Sequence, residues 1–295
     1  MSIFNGIGAA MVTPFGSDGK INYSVLEAYI EHLIYGGVKA LIPFGTTGES
    51  STVTDSEFEQ ATKFIIEHTR RRVPVIVGAG SNNTKRAAYK CAVASKLKAD
   101  AVLVVTPYYN KCTQRGIVEH YKAVAKEAKV PIVLYNVPYR TCVNIEPETL
   151  VELKKIRGVT AIKEACGDID AVRQTAEVCG QIGLDLYCGD DALTVTTMAL
   201  GAIGGISVAA NLLPEKMNTL CSMCLNGDYA LARAIQFGLS EFIECLFCEV
   251  NPIPVKKALQ LYGIDVGLPR LPLTELEHEH TNRLQNSMRE LGLIK

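Results

Sequence analysis

The sequence predicts a (β/α)₈ TIM barrel followed by a C-terminal helical appendage. Three observations carry that prediction. Eight short β-rich runs recur along the first ~210 residues, and most are continuously apolar, as strands buried on both faces should be. Their starts lie about 18 to 33 residues apart, a spacing that suits strand–helix units. The stretches between them carry apolar residues at the 3.6-residue period of a helix.

The eight runs cover residues 6–14, 40–45, 73–80, 101–108, 131–138, 159–165, 184–190 and 202–210. Leu26, Tyr29, Ile30, Leu33 and Ile34 form one helical stripe, and Ile117, Val118, Tyr121, Val124 and Ala125 another. Thr54 followed by Glu57 is a capping-box pair that starts the helix after the second strand. An open doubly wound sheet is the competing architecture, but it calls for a glycine-rich dinucleotide turn after a strand. Gly6-Ile7-Gly8 opens a strand instead, and Met11 stands where the third glycine belongs. Beyond residue 211 no strand is expected. Residues 214–224, 228–249, 254–261 and 274–291 read as helices, which sets a catalytic barrel over 1–225 and a helical region over 226–295.

A chain of 295 residues with 48% hydrophobic residues can bury a large core. No stretch reaches the roughly 18 apolar residues of a membrane helix. The start runs into Ile3 and Phe4 without a basic and then apolar leader, so no export signal is expected. Thirty basic residues oppose thirty-one acidic ones, with no Lys/Arg run, which argues against a nucleic-acid surface. Ten cysteines in a chain expected to stay in a reducing cytoplasm imply free thiols. Cys221, Cys224, Cys245 and Cys248 form two C-x-x-C pairs at a zinc-ribbon spacing. Both pairs lie inside helical apolar patterns, so the expectation is buried small hydrophobes rather than metal ligands.

In a barrel, chemistry gathers at the carboxyl ends of the strands. Those ends read Gly45-Thr46-Thr47-Gly48-Glu49-Ser50, Thr106-Pro107-Tyr108-Tyr109-Asn110, Tyr135-Asn136-Val137-Pro138 with Arg140 beyond, Ala161-Ile162-Lys163-Glu164, and Gly189-Asp190-Asp191. Lys163 stands late in an otherwise apolar strand. Burial favours loss of its proton and makes the amine a nucleophile toward carbonyls. Taken alone, it reads first as a lysine whose tip reaches solvent. Its company shifts the balance. Tyr135, one strand away, suits a general acid/base, or else an ordinary packed aromatic. Thr46 and Thr47, in a glycine-flanked turn, offer donors to a carboxylate, or simple turn chemistry. Arg140 offers a fork to a second carboxylate, or a solvated surface charge.

Taken together and in order, these motifs resemble the pyruvate-dependent class I aldolase family that includes dihydrodipicolinate synthase and N-acetylneuraminate lyase. The resemblance spans essentially the whole chain. Thr46-Thr47, Tyr108-Tyr109, Arg140 and Asn251-Pro252-Ile253-Pro254 are most similar to its dihydrodipicolinate synthase branch. That resemblance implies a lyase that condenses pyruvate with L-aspartate 4-semialdehyde to 4-hydroxy-tetrahydrodipicolinate, the first committed step of the diaminopimelate and lysine pathway. Lys163 would form the pyruvate imine and Tyr135 shuttle protons. Thr46 would link Tyr135 to Tyr109, the latter arriving from a neighbouring subunit of a homotetramer built as a dimer of dimers. Thr47 and the backbone carbonyl of Ile206 would border pyruvate, and Arg140 would receive the semialdehyde. No metal or organic cofactor is implied.

A pyruvate lyase acting on a sugar acid or a 4-hydroxy-2-oxoacid is the second reading, and a barrel that has lost catalysis and serves as a scaffold is the third. One departure concerns regulation. Lysine-inhibited members of the family hold the effector at the dimer interface. The matching positions here are Ser50, Ser51, Asp55, Phe58, Asn82, Arg86 and Tyr108. Asp55 and Phe58 replace histidines, and Arg86 replaces the glutamate that would hold the effector's ammonium. A cation there repels a cation, so weak or absent lysine inhibition is expected.

Overall fold

The computed structural model describes residues 2–295. All eight predicted strands are present, each shorter than its apolar run: β1 Gly6–Ala10, β2 Ala40–Ile42, β3 Ile76–Gly78, β4 Ala101–Val105, β5 Ile132–Asn136, β6 Val159–Glu164, β7 Asp185–Cys188 and β8 Gly204–Ser207. They form one parallel sheet in the order β2-β1-β8-β7-β6-β5-β4-β3. A parallel bridge between Leu41 and Val75 joins its two ends and closes the barrel. The remainder of each apolar run enters or leaves the strand, held to its neighbours by single hydrogen bonds such as Met11 N–H to the Ile42 carbonyl and Ala79 N–H to the Leu103 carbonyl.

The pleat sorts side chains into two apolar clusters, because successive residues of a strand point to opposite faces. Ala10, Ala40, Ile42, Ile76, Ala101, Leu103, Val133, Tyr135, Ala161, Tyr187 and Ile206 fill the barrel. Their neighbours Leu41, Val77, Val102, Val104, Ile132, Leu134, Ile162 and Leu186 face outward into the layer between sheet and helices. Phe4 stacks on Tyr187 at 4.3 Å and accepts a 2.8 Å hydrogen bond from the Tyr187 hydroxyl, plugging the amino-terminal end. The open end is therefore the carboxyl end.

Thr54 caps the helix Asp55–Thr69 through the expected reciprocal pair with Glu57. After Leu225 the chain is helical only. The single helix expected over 228–249 is instead two, Tyr229–Gly238 and Ser240–Leu246, and it ends before 249. Gly238, a poor helix former, precedes the break at Leu239. The break turns Phe242, Ile243, Cys245 and Leu246 onto the outer core. It also leaves Gln236 Nε2 donating to the Asp191 carbonyl at 2.9 Å. Ile253–Tyr262 and His278–Glu290 complete the chain, the latter starting four residues later than expected. Cys221 and Cys224 on the helix Pro214–Leu225 and Cys245 on Ser240–Leu246 are buried thiols, and Cys248 is half-buried just beyond. Among the described residues no three His, Cys, Asp or Glu side chains converge as a ligand set, and no helix is long and apolar enough to cross a membrane.

Candidate active site

Strand register decides which polar residues enter the barrel. β5 and β6 pair Tyr135 with Lys163 and Asn136 with Glu164. Tyr135 and Lys163 share the phase of Val133 and Ala161, so both face inward. Asn136 and Glu164 face outward, where the Asn136 amide donates to the Glu164 carboxylate at 2.9 Å. Thr175 Oγ1 and the Cys166 backbone N–H also donate to Glu164, which is held as part of the sheet–helix layer and not of the site. A slip of one residue would exchange the two pairs.

Lys163 is 6% exposed, with its Nζ 4.5 Å from the centre of the Tyr135 ring. Burial pushes its ammonium down to about 8, against the pull of the Asp191 carboxylate. An ordinary lysine is neutral about one time in a thousand near pH 7.4, whereas a value near 8 leaves roughly a fifth of it neutral. The stem crosses Gly189 at the end of β7, and a methyl group at that position would lie 2.8 Å from Lys163 Cε. Burial also raises the Tyr135 phenol above its usual range, opposed first by the Thr46 hydroxyl and then by the Arg140 charge. The phenol therefore stays protonated and ready to donate.

Two cavities open at this end of the barrel. One, of about 270 Å³, is lined by Thr46, Tyr108, Tyr135, Arg140, Val250 and Asn251 among others. The second, of about 830 Å³, is lined by Tyr139, Arg140, Gly189, Asp190, Glu244 and Glu249 among others. Arg140 and Val250 border both. Lys163 lines neither directly. It lies between Tyr135, which lines the first, and Gly189, which lines the second.

Of the residues singled out from the sequence, the fold brings Lys163, Tyr135, Thr46 and Arg140 together. Thr47 is buried beside them and accepts a 2.9 Å hydrogen bond from Asn251 Nδ2. Ile206 lies in the barrel interior on β8. Tyr109 is not brought to the site by its own chain. It is 87% exposed, with a positive φ of 73°, and lines neither cavity.

Sequence reasoning named Asp191, Glu49 and Asn251 only as members of motifs and gave none of them a partner or a role. Asp191 is buried and accepts from the backbone N–H groups of Val208 and Ala209, tying the end of β7 to the end of β8 within reach of the Lys163 charge. Glu49 forms a fully buried ion pair with Lys256 at 2.6 Å. Asn251 was visible only as part of a motif. The last two bridge more than 200 residues of sequence, and no local pattern signals such contacts.

The comparisons decide the family. A model of the Dihydrodipicolinate synthetase family matches residues 3–291. The chain belongs to this family. A 4-hydroxy-tetrahydrodipicolinate synthase of Clostridium novyi is 45% identical over 98% of this chain and 97% of its own. The crystal structure of the Thermotoga maritima dihydrodipicolinate synthase superposes with a TM-score of 0.97 at 39% identity, covering 99% of this chain and all of the other. A structure described as the first monomeric dihydrodipicolinate synthase variant also gives 0.97 at 39%, covering 99% and 98%. Members of the Dihydrodipicolinate synthetase family thus share this barrel and its appended helices from end to end.

Proposed function

We propose that the chain condenses pyruvate with L-aspartate 4-semialdehyde to give 4-hydroxy-tetrahydrodipicolinate, acting in the cytoplasm at the entry to diaminopimelate and lysine synthesis. The observation that carries the reading is the register-paired couple of Lys163 and Tyr135. It places a buried amine, lowered toward neutrality, beside a buried phenol at the barrel mouth.

The steps follow from those groups. Neutral Lys163 attacks C2 of pyruvate, and Tyr135 delivers a proton to the oxygen so that water leaves and an imine forms. The iminium then accepts the electrons released when a methyl proton departs. The resulting enamine attacks the aldehyde carbon of the second substrate. That substrate's own amine closes on C2, and Lys163 leaves as the free amine. Thr47 and the Ile206 carbonyl border pyruvate, and Arg140 takes the carboxylate of the semialdehyde. Thr46 relays protons between Tyr135 and Tyr109 of a neighbouring subunit, within a homotetramer arranged as a dimer of dimers. No metal or organic cofactor enters the scheme. A lyase for sugar acids has less support, because Arg140 borders both cavities where a second carboxylate would lie.

Borohydride reduction in the presence of pyruvate should add one pyruvate-derived mass to the Lys163 peptide. Turnover should follow with aspartate semialdehyde and not with N-acetylneuraminate or 2-keto-3-deoxy acids. An unmodified Lys163 refutes the imine; an adduct together with sugar-acid turnover refutes the substrate.

A further inference from the structure

Asn251 lines the smaller cavity and meets Thr47, buried just behind that wall, across 204 residues of sequence. Thr47 is 3% exposed and Asn251 5%. Asn251 Nδ2 lies 2.9 Å from Thr47 Oγ1, and Asn251 Oδ1 is buried with no partner. A buried polar atom left unpaired is uncommon in a native fold. An apolar residue of similar shape would avoid that loss if the position served packing alone. What the amide secures is the direction of one hydroxyl. A threonine hydroxyl has a single proton and two lone pairs. When it accepts from an amide N–H, its proton is free to point elsewhere.

We propose that Asn251 is a positioning residue that fixes Thr47 as a hydrogen-bond donor toward the carboxylate of the keto acid. The inference rests on the reading of Thr47 as the pyruvate-carboxylate contact, and it adds the group that sets that contact's polarity. The geometry also ties pyruvate affinity to the segment after Leu246, because Asn251 lies between the helices Ser240–Leu246 and Ile253–Tyr262. A shift of that segment would release the Thr47 proton and weaken keto-acid binding without touching Lys163.

Asn251→Asp keeps the shape and reverses the polarity. At pH 8 the new carboxylate accepts from Thr47 and takes its proton away from the substrate. Loss of a hydrogen bond to a charged group predicts a KM for pyruvate about 10- to 100-fold higher, with kcat within roughly threefold of wild type. In a Thr47→Val background the same change should raise KM less than about twofold further, since residues acting through one contact are non-additive. Far-UV circular dichroism and thermal melts establish folding, and Asn251→Ser provides a second variant with a smaller rise in KM should the aspartate fail to fold. A KM within twofold of wild type in folded Asn251→Asp would mean that the amide sits the other way round, accepting from Thr47, and overturns the proposal. So does an equally large rise in the Thr47→Val background, which would mark direct repulsion of the substrate. Borohydride trapping at saturating pyruvate separates this from the wider reading. A trapped adduct on both wild type and Asn251→Asp leaves the imine chemistry standing whatever the KM does. Failure of wild type to trap pyruvate removes that chemistry.

Discussion

At the scale of single residues, Lys163 carries the chemistry at the expense of the fold. Its ordinary pKa of 10.5 falls to about 8 in the folded barrel because the ammonium is buried. The folded state therefore disfavours the proton, and the unfolded chain binds more of it between those two values. Stability rises with pH across that window and is lowest below pH 8, where both states are charged. A shift of this size corresponds to about 3 kcal/mol. Lys163→Met is accordingly expected to abolish turnover and to raise stability by about that amount at pH 7. In denaturant titrations the gap between variant and wild type should close as pH approaches 10.5. A variant less stable than wild type at pH 7 contradicts this account of the buried ammonium. The same value predicts activity. The neutral amine attacks, so kcat/KM for pyruvate should rise about tenfold per pH unit below 8 and level off above it.

At the scale of elements, two devices hold the site. The first is Gly189, whose missing side chain leaves room for the Ala165 methyl, the Lys163 stem and the Glu164 carbonyl, of which the flexible stem yields most readily. Gly189→Ala should displace that stem and lower kcat by more than about tenfold, while far-UV circular dichroism stays unchanged. An active, folded alanine variant would show that the stem has slack. The second is the turn after β2, which holds Phe44 and Glu49 at positive φ on either side of Thr46 and Thr47. A non-glycine residue there costs about 1–2 kcal/mol. Glu49 is held by Lys256 at 2.6 Å and by the backbone N–H of Arg270 at 2.8 Å. Lys256→Met leaves a buried carboxylate unpaired, which costs about 3–5 kcal/mol and should lower the melting temperature by several degrees. Restoring much of it in Glu49→Gln/Lys256→Met would identify charge, not packing, as the cause.

What could be read in advance divides along the same line. The eight strands were legible because both faces of each are buried, which writes an unbroken apolar run into the sequence. Lys163 was legible because a lysine interrupts such a run. The inward phase of Tyr135 and the outward phase of Glu164 were not, because phase depends on register with a neighbouring strand. The pairs Glu49–Lys256 and Thr47–Asn251 join the first barrel turns to the last helices, and a periodicity of 2 or 3.6 residues says nothing about partners so distant. The run over 228–249 misled because its apolar residues fit one helix, while the fold bends at Leu239 to lay two short helices on the core.

At the scale of the whole molecule, the proposed site is incomplete in one chain. Tyr109 stands on the surface beside the barrel mouth strand that carries it, nearly fully exposed, while its proposed partner Thr46 lies in the cavity wall. An aromatic so exposed either completes a neighbouring subunit's site or, like Tyr35 at 89%, is an ordinary surface residue. Two inactive variants distinguish these cases. Tyr109→Phe lacks the donated phenol and Lys163→Ala lacks the nucleophile. In a mixed dimer, one of the two sites receives an intact Lys163 from one chain and an intact Tyr109 from the other. Co-refolding equal amounts should restore activity to roughly a quarter of wild type, since half of random dimers are mixed and each has one complete site. No restoration, with mixed dimers confirmed by native mass spectrometry, removes the subunit-crossing role. The same assembly bears on regulation. Arg86 pairs with Asp55 at 3.2 Å, and Lys90, buried behind this surface, lies 5.0 Å from the centre of the buried Phe58 ring, so two cations stand here against one carboxylate. Free lysine brings a third charge of the same sign, and like charges brought together at an interface disfavour binding. Activity should therefore stay within about twofold of its starting value up to several millimolar lysine. Exchanging the charge in Arg86→Glu should make the enzyme more sensitive. A half-inhibitory lysine concentration below one millimolar in the wild-type enzyme would show that the effector binds despite these charges.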